Sequence, residues 1–434
     1  MGISLEDYFH STATFGFELE FLVLFKEYGT TAPWVFKEGE DDSKIQKPFP
    51  EEPHDFSGTE SEHELHMKRL HYFGNEIAKA LTEAGVVAEY RSKGHPTEDN
   101  LSDLQPNDAK LGPFDEFCYN AYRTTTTVPE ETMIWTDPAM DGARMLVRPE
   151  CPQGHAYRRR DFKSAEEDLM AICKILRSKY MISVNAGKDS HIGSSRCGIH
   201  IHWGLSGQQY KLLHVKRLLT LMWMTEDDLM GLHATWRQQT NMALYKADAL
   251  PRWLDDVDLG APASWRDEME LNVPRPIWES LHQNNPKIQW LWRTEEVEDL
   301  AKLIGEGNMS RKAAIAITEL LPAGSKFSGK VRKSCLNTIE FRHMQGSLCP
   351  ELIAAWIEVT GKMVEICVRY SAEDFTNFLE KVRVCAVDKE WSAYSLLEIL
   401  GVEEGVNGVF KEHNQERLDE EADSDKRLFL PPLD

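Results

Sequence analysis

Three short segments of this chain share one pattern, and no other feature limits its fold as much. They read Phe17-Glu18-Leu19-Glu20-Phe21, Ile199-His200-Ile201-His202-Trp203 and Ile339-Glu340-Phe341-Arg342-His343. In each, polar residues stand two apart between large apolar ones. Side chains alternate across a strand, so residues at i and i+2 share a face. The pattern predicts three strands, each with one face in a packed core. The other faces carry Glu18 with Glu20, His200 with His202, and Glu340 with Arg342. Three such strands in one sheet would bring carboxylates, imidazoles and a guanidinium onto one surface. That set suits hard divalent cations and a polyphosphate.

The surrounding pattern is mixed. A first strand is expected over 14–26, with Phe15, Phe17, Leu19, Phe21 and Val23 on one side. Residues 38–66 read as an acidic excursion, 67–84 as a helix stopped by Gly85, and 92–113 as loop. Ser164 and Glu167 have the spacing of a capping box, as do Ser206 and Gln209; the second is expected to open a long helix to about residue 232. Tyr180–Val184 and Cys197–Leu205 read as strands. Residues 244–286 look irregular, 294–304 helical, and 335–344 contain the third motif strand. Pro350 opens a helix bearing Leu352, Ile353, Trp356, Ile357, Met363, Val364 and Cys367. Strands and helices follow no regular βαβ rhythm, so the expected class is α+β. One domain over 1–401 is expected, with insertions at about 27–66 and 244–334. An acidic, partly mobile tail is expected over 402–434.

Charge narrows the function classes. With 71 acidic against 49 basic residues the chain carries −22, which opposes general binding to nucleic acid or anionic membrane. A nucleotide accompanied by magnesium remains compatible. The eight cysteines form no CxxC pair, and several lie in apolar runs, as expected for free thiols in a reducing, cytoplasmic setting. Met1-Gly2-Ile3-Ser4-Leu5-Glu6-Asp7 lacks the basic and apolar regions of a secretory signal.

Each dyad alone has an ordinary reading: solvated strand carboxylates, structural histidines or a surface ion pair. His200 and His202 also have the spacing of zinc ligands, the arrangement of a zinc-dependent hydrolase. A cupin would want a glutamate soon after the second histidine, where this chain continues Trp203-Gly204-Leu205-Ser206-Gly207. The chain has no GxxxxGK[ST] loop, no GxGxxG after a strand and no GxSxG elbow. Joint occurrence of the three dyads favours one site, in which metals and arginines handle phosphate.

Three stretches resemble the amidoligase family, a branch of the glutamine synthetase and glutamate–cysteine ligase superfamily. They cover roughly residues 14–26, 135–243 and 335–368. The motifs are Phe15-Gly16-Phe17-Glu18-Leu19-Glu20-Phe21, Cys197-Gly198-Ile199-His200-Ile201-His202, and Glu340-Phe341-Arg342 running into Gln345-Gly346-Ser347-Leu348. The resemblance implies a glutamine synthetase-like antiparallel sheet curved around a funnel that takes ATP and Mg²⁺, with Mn²⁺ as an alternative. The implied reaction phosphorylates a small carboxylate and lets an amine displace the phosphate, giving an amide or isopeptide. By the same resemblance Glu18, His200 and Glu340 surround one metal, Glu20 and Asp137 belong to a second, and His202, Arg342 and Arg237 meet the nucleotide or substrate. Glu340 and Arg342 are the implied catalytic pair. One departure stands out: Met145 occupies the position of an expected acidic ligand, with Asp141, Arg144 and Glu150 nearby. That departure supports an alternative, a catalytically weak binding or regulatory relative.

Overall fold

In the computed structural model the described residues are 9, 12–24, 62–86, 142–147, 157–158, 162–183, 198–206, 208–238, 264–277, 279, 287–304, 314–321, 326–327, 330–331 and 337–414. They form an α+β architecture around one antiparallel sheet. Its strands are β1 (Ala13–Leu24), β2 (Gly142–Val147), β3 (Tyr157–Arg158), β4 (Met181–Ser183), β5 (Ile199–Leu205), β6 (Ile315–Ala316) and β9 (Thr338–Phe341). A separate two-stranded ribbon joins β7 (Lys326–Phe327) to β8 (Lys330–Val331). The main order is β2-β1-β5-β9-β6, and β3 and β4 also pair with β1. At Leu22–Leu24, β1 pairs with both β2 and β4, so β4 extends the edge of β1 already used by β5.

Register sorts the side chains. Phe15 faces Trp203, Phe17 faces Ile201, and Leu19 faces Ile199 across β1 and β5; Ile201 and Trp203 then face Phe341 and Ile339 of β9. All of these are buried. Helix α8 (Pro350–Arg369) packs on β5, α2 (Phe162–Lys179) packs on β3 and β4, and α3 (Leu212–Met230) packs in turn on α8. The seven apolar residues named in advance for α8 are all buried. Trp203 is the clearest link between layers. Its indole Nε1 donates to Thr360 Oγ1 at 3.0 Å. The ring lies so close to Gly361 that a Cβ there would sit 2.7 Å from Cζ2 and 2.8 Å from Cη2.

Several local expectations need correction. Helix α1 (Glu62–Glu83) begins inside the stretch read as excursion. Gly85 does end it, at φ +88°, with Val86 N–H reaching Leu81 O and Gly85 N–H reaching Thr82 O. Ser164 lies inside the first turn of α2 rather than ahead of it. Ser206 opens no helix: its N–H is held by Thr12 O at 2.7 Å, and Gln208 turns back to Leu205. Helix α3 starts only at Leu212, after Lys211, with no side-chain cap. The irregular stretch 244–286 contains α5 (Trp265–Asn272), and α6 (Lys287–Arg293) precedes α7 (Val297–Ile304). The third motif strand is shorter than expected, so Arg342 and His343 lie just beyond it.

The packed region also runs past residue 401. After α8 come α9 (Ala372–Cys385) and α10 (Ala393–Leu400), capped by Ser371 and Ser392. Then α11 (Glu404–Glu412) lies within the expected tail and buries Phe410 and Asn407 against α8 and α10. No described helix is long and apolar enough to cross a membrane.

Candidate metal centre

The polar face of β1, β5 and β9 gathers what the sequence pattern distributes. Glu18 stands opposite His200, and His202 opposite Glu340. Paired residues on adjacent strands project together, so the two rows lie side by side. Arg342 follows the end of β9, where its N–H donates to Ala314 O at 2.7 Å. Five side chains from three distant segments therefore meet: Glu18, His200, His202, Glu340 and Arg342.

Distances define a tight cluster. His200 Nδ1 is 3.1 Å from Glu18 Oε2, 3.4 Å from Glu340 Oε1 and 3.2 Å from Arg342 Nη1. His202 Nε2 is 3.2 Å from Glu18 Oε1. The Glu18 carboxylate is thus held between two imidazoles. The Glu340 carboxylate is held by the Arg342 guanidinium through Nη1 and Oε1. One nitrogen cannot serve every neighbour: Nδ1 of His200 donates to a carboxylate in one tautomer and accepts from Arg342 in the other. Glu18, His200, His202 and Glu340 are 5% exposed or less, far below an ordinary solvated strand face.

One atom each from Glu18, His202 and Glu340 lies within 4.8 Å of the others. Two carboxylates and an imidazole in that space could hold a metal ion. No family model, curated protein or solved structure matches the chain. The chemistry of the site therefore rests on these residues and their geometry.

Arg237, which the resemblance assigns to nucleotide or substrate, makes its described bonds to the backbone beside Arg342. It lies in the short helix α4 (Thr235–Gln238) and is buried. Its Nε donates to His343 O at 3.0 Å, and its Nη2 donates to Arg342 O. The guanidinium thus grips the backbone that carries Arg342. Gly198 makes room beside it: a Cβ there would lie 3.1 Å from Arg237 Nη2 and 3.3 Å from His200 Nε2. A single arginine at the end of a short helix carries no sequence signal for this role.

A second buried polar group backs β9. His343 and His233 flank the Trp356 ring, Glu226 lies near His343 and Gln345 lies beside His233; all four polar residues are buried. His343 Nε2 is 3.8 Å from Glu226 Oε1, too long for a hydrogen bond. Burial, reinforced by the charge of Arg237, lowers the His343 pKa to about 3, so its imidazole is neutral at pH 7. Burial likewise holds His233 well below the ordinary histidine value. His343 ends the third motif, but alternation alone gave it no role.

Some expected ligands fall elsewhere. Asp137, Asp141 and Glu150 lie outside the described residues. Glu20 is in β1 opposite Leu146, and its side chain lies outside the described set. Met145 stands opposite Phe21 in the β1–β2 register, and Leu146 stands opposite Glu20.

Proposed function

We propose that the chain is an ATP- and Mg²⁺-dependent carboxylate–amine ligase with a glutamine synthetase-like site. The observation that carries this reading is the buried convergence of Glu18, His202 and Glu340 with His200 and Arg342 on adjacent antiparallel strands. Glu18, His202 and Glu340 would hold the cation, which supplies charge neutralisation for a polyphosphate. In the first half-reaction a substrate carboxylate oxygen attacks the γ-phosphorus of ATP, and the bond to the β,γ-bridging oxygen breaks to release ADP. In the second, an amine attacks the acyl carbon, phosphate leaves, and the amine loses a proton.

The residues suit that chemistry. Phosphoryl transfer needs positioning and charge stabilisation rather than a protein nucleophile. Arg342 offers a planar donor fork for phosphate oxygens, and Arg237 holds the backbone on which that fork is mounted. Burial strengthens each of these interactions relative to water. ADP release should be measured with Mg²⁺ and a panel of amino acids and small carboxylates. Acid- and amine-dependent ADP release is the expected result. Absence of ATP binding by calorimetry at millimolar nucleotide would overturn the reading.

A second reading draws on the two imidazoles, His200 and His202, beside Glu18. A zinc hydrolase would carry stoichiometric zinc after purification, and metal analysis distinguishes the two.

A further inference from the structure

The guanidinium of Arg342 sits where it interferes with the metal centre. Its Nη1 is bonded to Oε1 of Glu340, one of the three carboxylate and imidazole groups that cluster for a cation. The same Nη1 lies 3.2 Å from His200 Nδ1. Glu340 is fully buried, whereas the Arg342 side chain is 19% exposed. The arginine therefore has an open side and its carboxylate partner has none. Its backbone is fixed at both ends, by Ala314 O on its N–H and by Arg237 on its carbonyl. These bonds hold the backbone and leave the side-chain torsions of Arg342 as the route by which its guanidinium could leave Glu340.

We propose that Arg342 and a divalent cation compete for Glu340, so that metal binding turns the Arg342 guanidinium outward towards the open side, where it takes a phosphate. The inference rests on the metal-centre reading above and adds a coupling to it. A carboxylate held by a guanidinium is a weaker cation ligand than a free one, because the pair must first be broken. An arginine released from its carboxylate regains donors for an anion. Metal and polyphosphate then favour each other through one side chain, and the coupling is reciprocal. The spacing of Glu340 and Arg342 makes this possible, since i and i+2 share a face.

The test is Mn²⁺ titration by calorimetry at pH 8 without nucleotide, on the wild-type chain, Arg342→Ala and Arg342→Lys. Near-UV circular dichroism verifies the fold, and Arg342→Lys serves if the alanine variant does not fold. Arg342→Ala should bind Mn²⁺ about tenfold more tightly or better, since an ion pair to a buried carboxylate no longer has to break. Arg342→Lys should fall between, because lysine lacks the fork. A non-hydrolysable ATP analogue should bind the wild type far more weakly in EDTA than with Mn²⁺, and Arg342→Ala should lose most of that difference. Wild-type Mn²⁺ binding that is unchanged or weakened in both variants overturns the competition while leaving the metal centre standing. No Mn²⁺ binding by any of the proteins overturns the metal centre and the competition with it.

Discussion

Gly361→Ala puts the link between the covering helices and the site strands to a direct test. The added Cβ would stand 2.7 Å and 2.8 Å from two carbons of the Trp203 ring, against about 3.5–4.0 Å for an ordinary carbon contact. The indole has little room to retreat. It is fully buried, its Nε1 is tied to Thr360, and the Phe15 ring lies 5.2 Å away, centroid to centroid. Overpacking of this kind costs about 1–3 kcal/mol. Alanine in place of glycine within a helix returns about 1 kcal/mol, so the net effect should be a loss of about 0–2 kcal/mol. Urea unfolding measures it. The Trp203→Phe background supplies the control: with the larger ring gone, the same substitution should be neutral or stabilising by up to about 1 kcal/mol. Because Trp203 follows His202 directly, the variant should also weaken Mn²⁺ binding. If Gly361→Ala is stabilising by about 1 kcal/mol while Trp203 is present, as it is expected to be in the Trp203→Phe background, the tight contact between α8 and β5 is wrong.

Glu340→Gln and Arg342→Ala should both stay folded, because Ile339 and Phe341 keep their packing, and both should lose on the order of 10²-fold in rate or more. Glu340→Gln should weaken metal dependence most; turnover within about threefold of wild type would remove this strand from the active site. Arg237→Ala removes the donors to two backbone carbonyls and should cost about 2–4 kcal/mol in urea unfolding. Arg237→Lys should restore only part of that, and a loss under about 0.5 kcal/mol in the alanine variant would contradict the bracing role. His343 has its pKa lowered in the folded chain to about 3, so the unfolded chain binds the extra proton. Its contribution is complete above about pH 6.5 and is lost as pH falls towards 3, by about 1.4 kcal/mol per pH unit. His343→Gln should flatten the pH dependence of the urea midpoint over that window, and an unchanged slope would refute the assignment.

The sequence made the site strands legible because two signals coincide in them. Alternation fixes which residues share a face, and bulky neighbours such as Phe17, Ile201 and Phe341 show which face is core. That β1, β5 and β9 are neighbours was not readable from alternation, since pairing over such separations depends on tertiary context. Capping signals misled where tertiary bonds took over: Ser206 gives its N–H to Thr12 instead of starting a helix. Acidic composition concealed α11, which buries Phe410 and packs Val406 and Val409 against the core. The resemblance put Arg237 at nucleotide or substrate, and nothing local shows that two carbonyls of a distant segment will receive its guanidinium. The tight contact of Gly361 is equally silent in sequence, because a glycine in a helix looks like a weak point until the Trp203 ring lies across it.

Incubation with Mg²⁺, ATP and a metabolite extract, read by mass spectrometry, tests whether these strands build the proposed centre for metal-assisted transfer of phosphate to a carboxylate. A new product equal in mass to an acid plus an amine less one water is expected, formed one-for-one with ADP and lost in Glu340→Gln. Release of ADP and a condensed product at the same rate from Glu340→Gln, or no nucleotide turnover by the wild type with any extract, would contradict it.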